Sequence, residues 1–322
     1  MASKLPRGSP RTWTAVAATL LATGAARADE GGVSFWLPGQ LGSLIAVPGA
    51  PGFSVPGIYY HTSVDASAQR SFQVGGNLVA GIDGDADLVF LAPTYTFGKP
   101  VAGGRASVTL GWAYGEMSAS VDAVITGPLG NSITRSLSDS VTGGSDLYPQ
   151  FSVKWNDGAK NWMTYAMADI PVGAYDLGRL ANIGINHYAV DGGGGFTYFD
   201  PMKGHEVSIV AGLTYNFENR DTDYRNGVDM HVDFAASKFL SQSTHVGLAG
   251  YIYYQLSGDS GGGAKLGDNK ARVYALGPQF GHFFPFGKDK GYVNVRANWE
   301  FDAKNRPEGW NVYATLSLPV GG

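Results

Sequence analysis

The stretch YVNVRANWEFD, residues 292–302, alternates without a break. Val293, Val295, Ala297, Trp299 and Phe301 fall on one side, and Asn294, Arg296, Asn298, Glu300 and Asp302 on the other. Successive side chains of a strand face opposite ways, so this is a strand with one apolar and one charged face. A charged face cannot be packed into a dry core without a large desolvation cost. The fold must therefore keep that face wet while it covers the other.

The same period of two recurs in residues 105–114, 147–155, 206–217 and 310–320. In residues 206–217, Val207, Ile209, Ala211, Leu213 and Tyr215 oppose Glu206, Ser208, Gly212, Thr214 and Asn216. Noisier alternation occurs near 71–82, 88–97, 162–170, 183–198, 230–240, 246–256 and 272–284. By the alternation rule this gives about a dozen strands, and no long amphipathic helix. Many segments run about ten residues, the length of a tilted strand crossing a bilayer. Aromatic residues gather at their ends, as girdles at two membrane interfaces would. The expected fold is all-β, an antiparallel transmembrane β-barrel of about 12 strands, with 14 as the alternative. Connections 156–161 and 287–291 read as short turns, and 126–146 and 219–229 as long loops.

Residues 1–28 carry Lys4, Arg7 and Arg11, then an apolar stretch, then Ala26-Arg27-Ala28. This is the pattern of a secretory signal peptide. Its removal takes four basic residues and leaves 19 basic against 27 acidic, a net charge of −8. Such a chain is no partner for nucleic acid. Residues 29–57 are rich in Gly and Pro with little periodicity, and read as an irregular segment, a candidate plug or lid. Residues 58–322 then form the barrel. Beyond the leader no run approaches the roughly 20 apolar residues of a membrane helix. Cysteine is absent, which excludes disulfides and thiolate metal sites.

Little enzymatic chemistry is written in the chain. GDSGG, residues 258–262, spells the surroundings of a protease nucleophile at Ser260, but it follows a strand and precedes a hydrophilic connection. A lone motif without its histidine segment reads as a loop. DGDAD, residues 83–87, spaces carboxylates as a calcium loop does, yet Leu88 stands where that loop needs glycine, so it reads as a solvated turn. VDGGGGFTY, residues 190–198, lacks the phosphate-loop lysine and reads as a turn or a kink that lets a sheet curl. No cofactor or metal is expected, and no enzyme. The candidate lumen-lining charges are Arg105, Lys154, Arg296 and Glu300. They either select solutes or form a structural salt-bridge network inside a closed barrel.

Several segments together resemble one family. They are ADIPVGAYD (168–176), LANIGINHYAV (180–190), residues 197–234, residues 246–267, LGPQFGH (276–282) and EFDAKNRPEGW (300–310). In this order they are similar to the bacterial outer-membrane transporters known as the protein involved in the meta-pathway of phenol degradation. The resemblance implies a porin-like barrel in the outer membrane that passes small hydrophobic or aromatic compounds. Its partners would be outer-membrane lipid, the barrel-assembly machinery and those solutes. It also implies that the Ser260 loop carries no protease activity. Two other readings stand beside it: a structural or adhesive outer-membrane protein with a packed lumen, and an outer-membrane serine hydrolase using Ser260.

Overall fold

The computed structural model describes residues 34–74, 77–126, 132–265 and 270–320. The leader expected at 1–28 lies outside them. Fourteen strand segments follow one another: β1 (Gly52–Val74), β2 (Asn77–Leu91), β3 (Thr94–Thr96), β4 (Arg105–Thr126), β5 (Ser132–Gly144), β6 (Tyr148–Asp157) and β7 (Lys160–Asp169). Then come β8 (Ala189–Asp200), β9 (His205–Asn216), β10 (Asp229–Phe239), β11 (Thr244–Gln255), β12 (Arg272–Phe286), β13 (Asp289–Lys304) and β14 (Glu308–Val320). All pair antiparallel, and β14 returns to β1 from Phe53↔Val320 to Asp65↔Glu308, closing a barrel. Gly52 and Val320 mark the lower end, the end that carries the short turns.

Fourteen segments make twelve crossings. β2 and β3 keep one register against β4, with Leu91↔Trp112 followed by Thr94↔Thr109. The ladder breaks between them because Pro93 has no N–H to donate. The Pro93 carbonyl still accepts the Leu110 N–H at 3.1 Å. β5 and β6 likewise continue one another along β4, with Gly144↔Tyr114 and then Tyr148↔Gly111. Four steps on one strand against three on the other define a β-bulge. The Ser145 hydroxyl fills the gap by accepting the Ala113 N–H at 2.8 Å. The expected 12 and the alternative of 14 thus describe one wall, counted by crossings or by segments.

The wall is inside-out relative to a soluble barrel. Along β9 the polar set is buried and the apolar set exposed, with Thr214 at 1% and Leu213 at 50%. An exposed apolar band around a whole barrel requires lipid. Aromatic residues border the band at both ends. Phe53 tilts against Tyr95 and Tyr95 meets Phe97 edge to face near the lower rim, and Tyr215 and Phe217 meet edge to face at the upper one.

Four expectations change. Residues 126–146 are no long loop, because β5 occupies most of them and pairs with β4 from Tyr114 to Thr126. This hairpin rises above the upper aromatic girdle, where no lipid imposes an apolar face, so its Ser-rich sequence hides the strand. DGDAD is no turn but lies within β2, with Asp83, Asp85 and Asp87 paired against Ser120, Ser118 and Glu116 of β4. VDGGGGFTY is not a turn either, since β8 runs through it in unbroken register with β7 and β9. The first strand also begins at Gly52, inside the segment expected to be irregular.

Candidate functional site in the lumen

Residues 34–50 run inside the barrel. An irregular chain carries N–H and C=O groups that no ladder satisfies. Here the polar inner face of the wall satisfies them. Asp233 of β10 accepts the N–H groups of Gly39 and Leu41 at 2.9 and 3.0 Å. Glu206 of β9 accepts the Leu44 N–H at 3.0 Å and the Ser43 hydroxyl at 2.8 Å. Thr197 of β8 accepts the Ala46 N–H at 3.1 Å. In the other direction, Arg296 donates to the Gln40 carbonyl at 3.0 Å and Tyr313 to the Pro38 carbonyl at 2.9 Å. Carboxylates are strong acceptors for such N–H groups. They hold Leu44 at φ 65°, a conformation that a leucine seldom adopts.

One side chain of the segment anchors it further. Trp36 is 2% exposed and stacks on His231, with centroids 3.6 Å apart and planes 13° from parallel. The His231 Nε2 lies 2.9 Å from an Asp191 oxygen, which also accepts the Thr214 hydroxyl at 2.6 Å. Gly212 makes room for this stack. A Cβ there would sit 2.2 Å from the Tyr165 hydroxyl and 2.6 Å from the His231 ring.

The segment leaves two chambers in the lumen. The upper one, about 120 Å³, is mainly apolar, lined by Tyr60, Leu88, Met117 and Ile183 with Glu300 and Arg306 at its polar side. The lower one, about 400 Å³, is more polar and includes Thr94, Ser107, Gln150, Lys154 and Arg296. Phe35, Leu37, Phe90 and Tyr148 border both. The rings of Phe35 and Tyr148 stand 6.0 Å apart, so one side of this constriction belongs to the segment and the other to the wall.

The four charged residues singled out in the sequence are therefore not together. Lys154 and Arg296 share the lower chamber. Glu300 belongs to the upper one, where it accepts the Tyr251 hydroxyl at 2.7 Å and the Gly309 N–H at 3.0 Å, with Arg306 at 3.7 Å. Arg105, paired with Lys154 across β4 and β6, lies at the lower rim and donates to the carbonyls of Phe97 and Gly98. Sequence reasoning missed Asp191, Glu206, His231 and Asp233. Glu206 sat on the polar side of an alternation already identified, and His231 and Asp233 alternate with Val232 and Phe234. Phe35 and Trp36 carried no such signal.

Above the constriction, residues 170–188 fold back over the mouth. Asp146 accepts the N–H groups of Val172, Gly173 and Ile185 at 2.7–2.9 Å. Higher on the β4–β5 hairpin, beyond the membrane band, Asp139 takes Arg179 in a two-pronged pair at 2.7 and 3.1 Å. It also accepts the N–H groups of Leu180 and Ala181. The Arg179 guanidinium holds the Asp139 carboxyl down to about 2. Leu180 and Ala181 then pack on Ala66, Ile82, Ala119 and Val121.

The family described as "Putative MetA-pathway of phenol degradation" matches residues 67–316, most of the chain. The chain belongs to this family. No curated protein matches it by sequence. Among solved structures, an outer membrane channel from Pseudomonas putida F1 is similar at TM-score 0.66 and 14% identity, over 88% of this chain and 100% of the other. At that identity the likeness shows the fold. A Pseudomonas aeruginosa FadL homologue aligns at TM-score 0.40 and 8% identity, covering 82% and 89% of the two chains, and adds no argument.

In this phenol-degradation family member, Ser260 sits in the loop that follows β11. Its backbone forms a two-bond bridge with Arg225 of the neighbouring loop. The glycines around it serve that contact. Gly261 has φ +98°, and a Cβ on Gly263 would stand 1.9 Å from the Thr222 carbonyl. GDSGG is thus the sequence needed for two upper loops to press backbone against backbone.

Proposed function

We propose that the chain is a passive outer-membrane channel for small hydrophobic or aromatic solutes, with residues 34–50 as its plug and the leader as its export signal. The observation that carries this is the pair of chambers separated by one aromatic constriction. The upper chamber is apolar and about 120 Å³. An apolar cavity of about 150 Å³ holds benzene, so the chamber suits a single ring. The family's link to phenol degradation supports the same solute class. Arg105, Lys154, Arg296 and Glu300 would then act along the route, the first at the lower exit and the others inside.

The number of bonds between segment and wall favours a second reading, a structural barrel with a permanently filled lumen. Conductance separates the two. Purified protein should first show heat-dependent electrophoretic mobility, since a closed barrel leaves no strand edge for detergent to open. In planar bilayers, deleting residues 34–47 should raise conductance strongly over the full chain. A full chain and a deletion variant that both fail to conduct, while the mobility shift persists, would overturn the channel reading.

A further inference from the structure

The lower chamber has a charge that its neighbours do not cancel. Its lining includes Lys154 and Arg296 and, among the described residues, no Asp or Glu. Asp233 and Glu206 face the same lumen and receive the N–H groups of Gly39, Leu41 and Leu44; the charge of Asp233 also acts on Arg296, so Arg296 is balanced and the uncancelled charge is that of Lys154. Arg296 donates to two neutral acceptors, the Asn294 side chain at 2.8 Å and the Gln40 carbonyl at 3.0 Å. Lys154 forms no ion pair among the described residues. Along the same wall Thr94 and Thr109 exchange a hydroxyl hydrogen bond at 2.8 Å, and Thr96 and Ser107 another at 2.9 Å. Thr94 also donates to the Ala92 carbonyl, so the first pair has no hydrogen to spare, whereas the Thr96–Ser107 pair can turn one donor toward an incoming anion.

From this we infer that the lower chamber is an anion site, and that the solutes favoured are small aromatic anions, single rings bearing a carboxylate or a similar group. The inference rests on the channel reading above and refines its solute class. A ring reaches this chamber along the apolar side chains of Phe35, Leu37, Phe90 and Tyr148, which border both chambers. Its charged substituent is then received by Lys154 and Arg296. Low-dielectric walls around a chamber focus such a field, so the uncompensated Lys154, with Arg296 as a hydrogen-bond donor beside it, suffices to sort solutes by sign. A neutral ring gains nothing there, and a cationic ring is repelled.

The test uses the full chain in planar bilayers, with two permanently charged single-ring probes, benzenesulfonate and benzyltrimethylammonium. Reversal potentials give their permeability ratio. The expected result is a ratio favouring benzenesulfonate. Lys154→Gln should reduce benzenesulfonate permeability about fivefold, the effect of one charge roughly 4 Å from an ion in a water-filled lumen, and raise that of the cation, so the ratio falls further still. Lys154→Arg should keep the ratio. Heat-dependent mobility of each variant confirms that the barrel is intact. A preference for the cation, or a ratio unchanged in an intact Lys154→Gln barrel, overturns the anion site and leaves the channel standing. A barrel that conducts neither probe, with or without residues 34–47, overturns the channel and the site together.

Discussion

Asp233 offers the sharpest test of what holds the N-terminal segment in the lumen. It is 2% exposed and accepts two backbone N–H groups, from Gly39 and Leu41. Hydrogen bonds to a charged group contribute about 1.5–3 kcal/mol each, so Asp233→Ala removes about 3–6 kcal/mol of seating energy. Relief of a buried charge offsets part of this. Taking the lower end, about 3 kcal/mol, the released population should rise about a hundredfold. The chain has no cysteine, so one introduced thiol reports this without background. Ala46 is fully buried, and Ala46→Cys places the reporter on the segment itself. Labelling by a water-soluble maleimide then proceeds only from the released state, and its rate follows the equilibrium when reseating is fast. The comparison is between Ala46→Cys alone and Ala46→Cys with Asp233→Ala. Equal labelling rates in two intact barrels would show that the carboxylate does not hold the segment, and would refute the argument built on its two bonds.

Two further outcomes are expected. Gly212→Ala drives a Cβ into the Tyr165 hydroxyl and the His231 ring, so it should cost about 1–3 kcal/mol as overpacking and lower the temperature of the mobility shift. Gly192→Ala, whose nearest neighbour would be 3.7 Å away, should leave that temperature unchanged. The clamp on residues 170–188 should depend on pH. The Asp139 carboxyl is held down to about 2, so its contribution is complete above the ordinary carboxylate range and is lost as pH falls through about 2. Hydrogen exchange at Leu180 and Ala181, corrected for intrinsic rate, should show protection at pH 5 that disappears near pH 2. Arg179→Ala should weaken it at pH 5, at both amides.

How much of this was legible in the sequence follows from where each residue meets lipid. Wherever a strand crosses the bilayer, every second residue must be apolar, and segments such as 206–217 and 292–302 declared themselves. Above the membrane that constraint ends. The β4–β5 hairpin and the DGDAD part of β2 stand in water on their outer side, so their outward residues are Ser, Thr and Asp in place of apolar ones, and the sequence there looks like loop and turn. The lumen was half legible. Arg296 and Lys154 were visible as charges on the polar side of a strand. Their sharing of one chamber, and the separation of Glu300 from it, depend on barrel curvature and on the path of residues 34–50. The Trp36–His231 stack joins residues 195 positions apart through a wall that exists only once the barrel is closed.

The ladder of the wall is complete in itself, since β14 pairs with β1 without help from the N-terminal segment. Among the described residues, the side-chain hydrogen bonds that seat the segment come from wall residues between 151 and 275 positions later in the chain, from Thr197 to Tyr313. The full set of partners lines one surface only in the closed barrel, so the segment at one end of the chain is held by Tyr313 near the other. Contacts so distant in sequence carry the largest loop-closure cost and form slowly. The segment thus turns the closed wall into its own template: it is the shape of the finished barrel, more than any local preference, that gives residues 34–50 a single path.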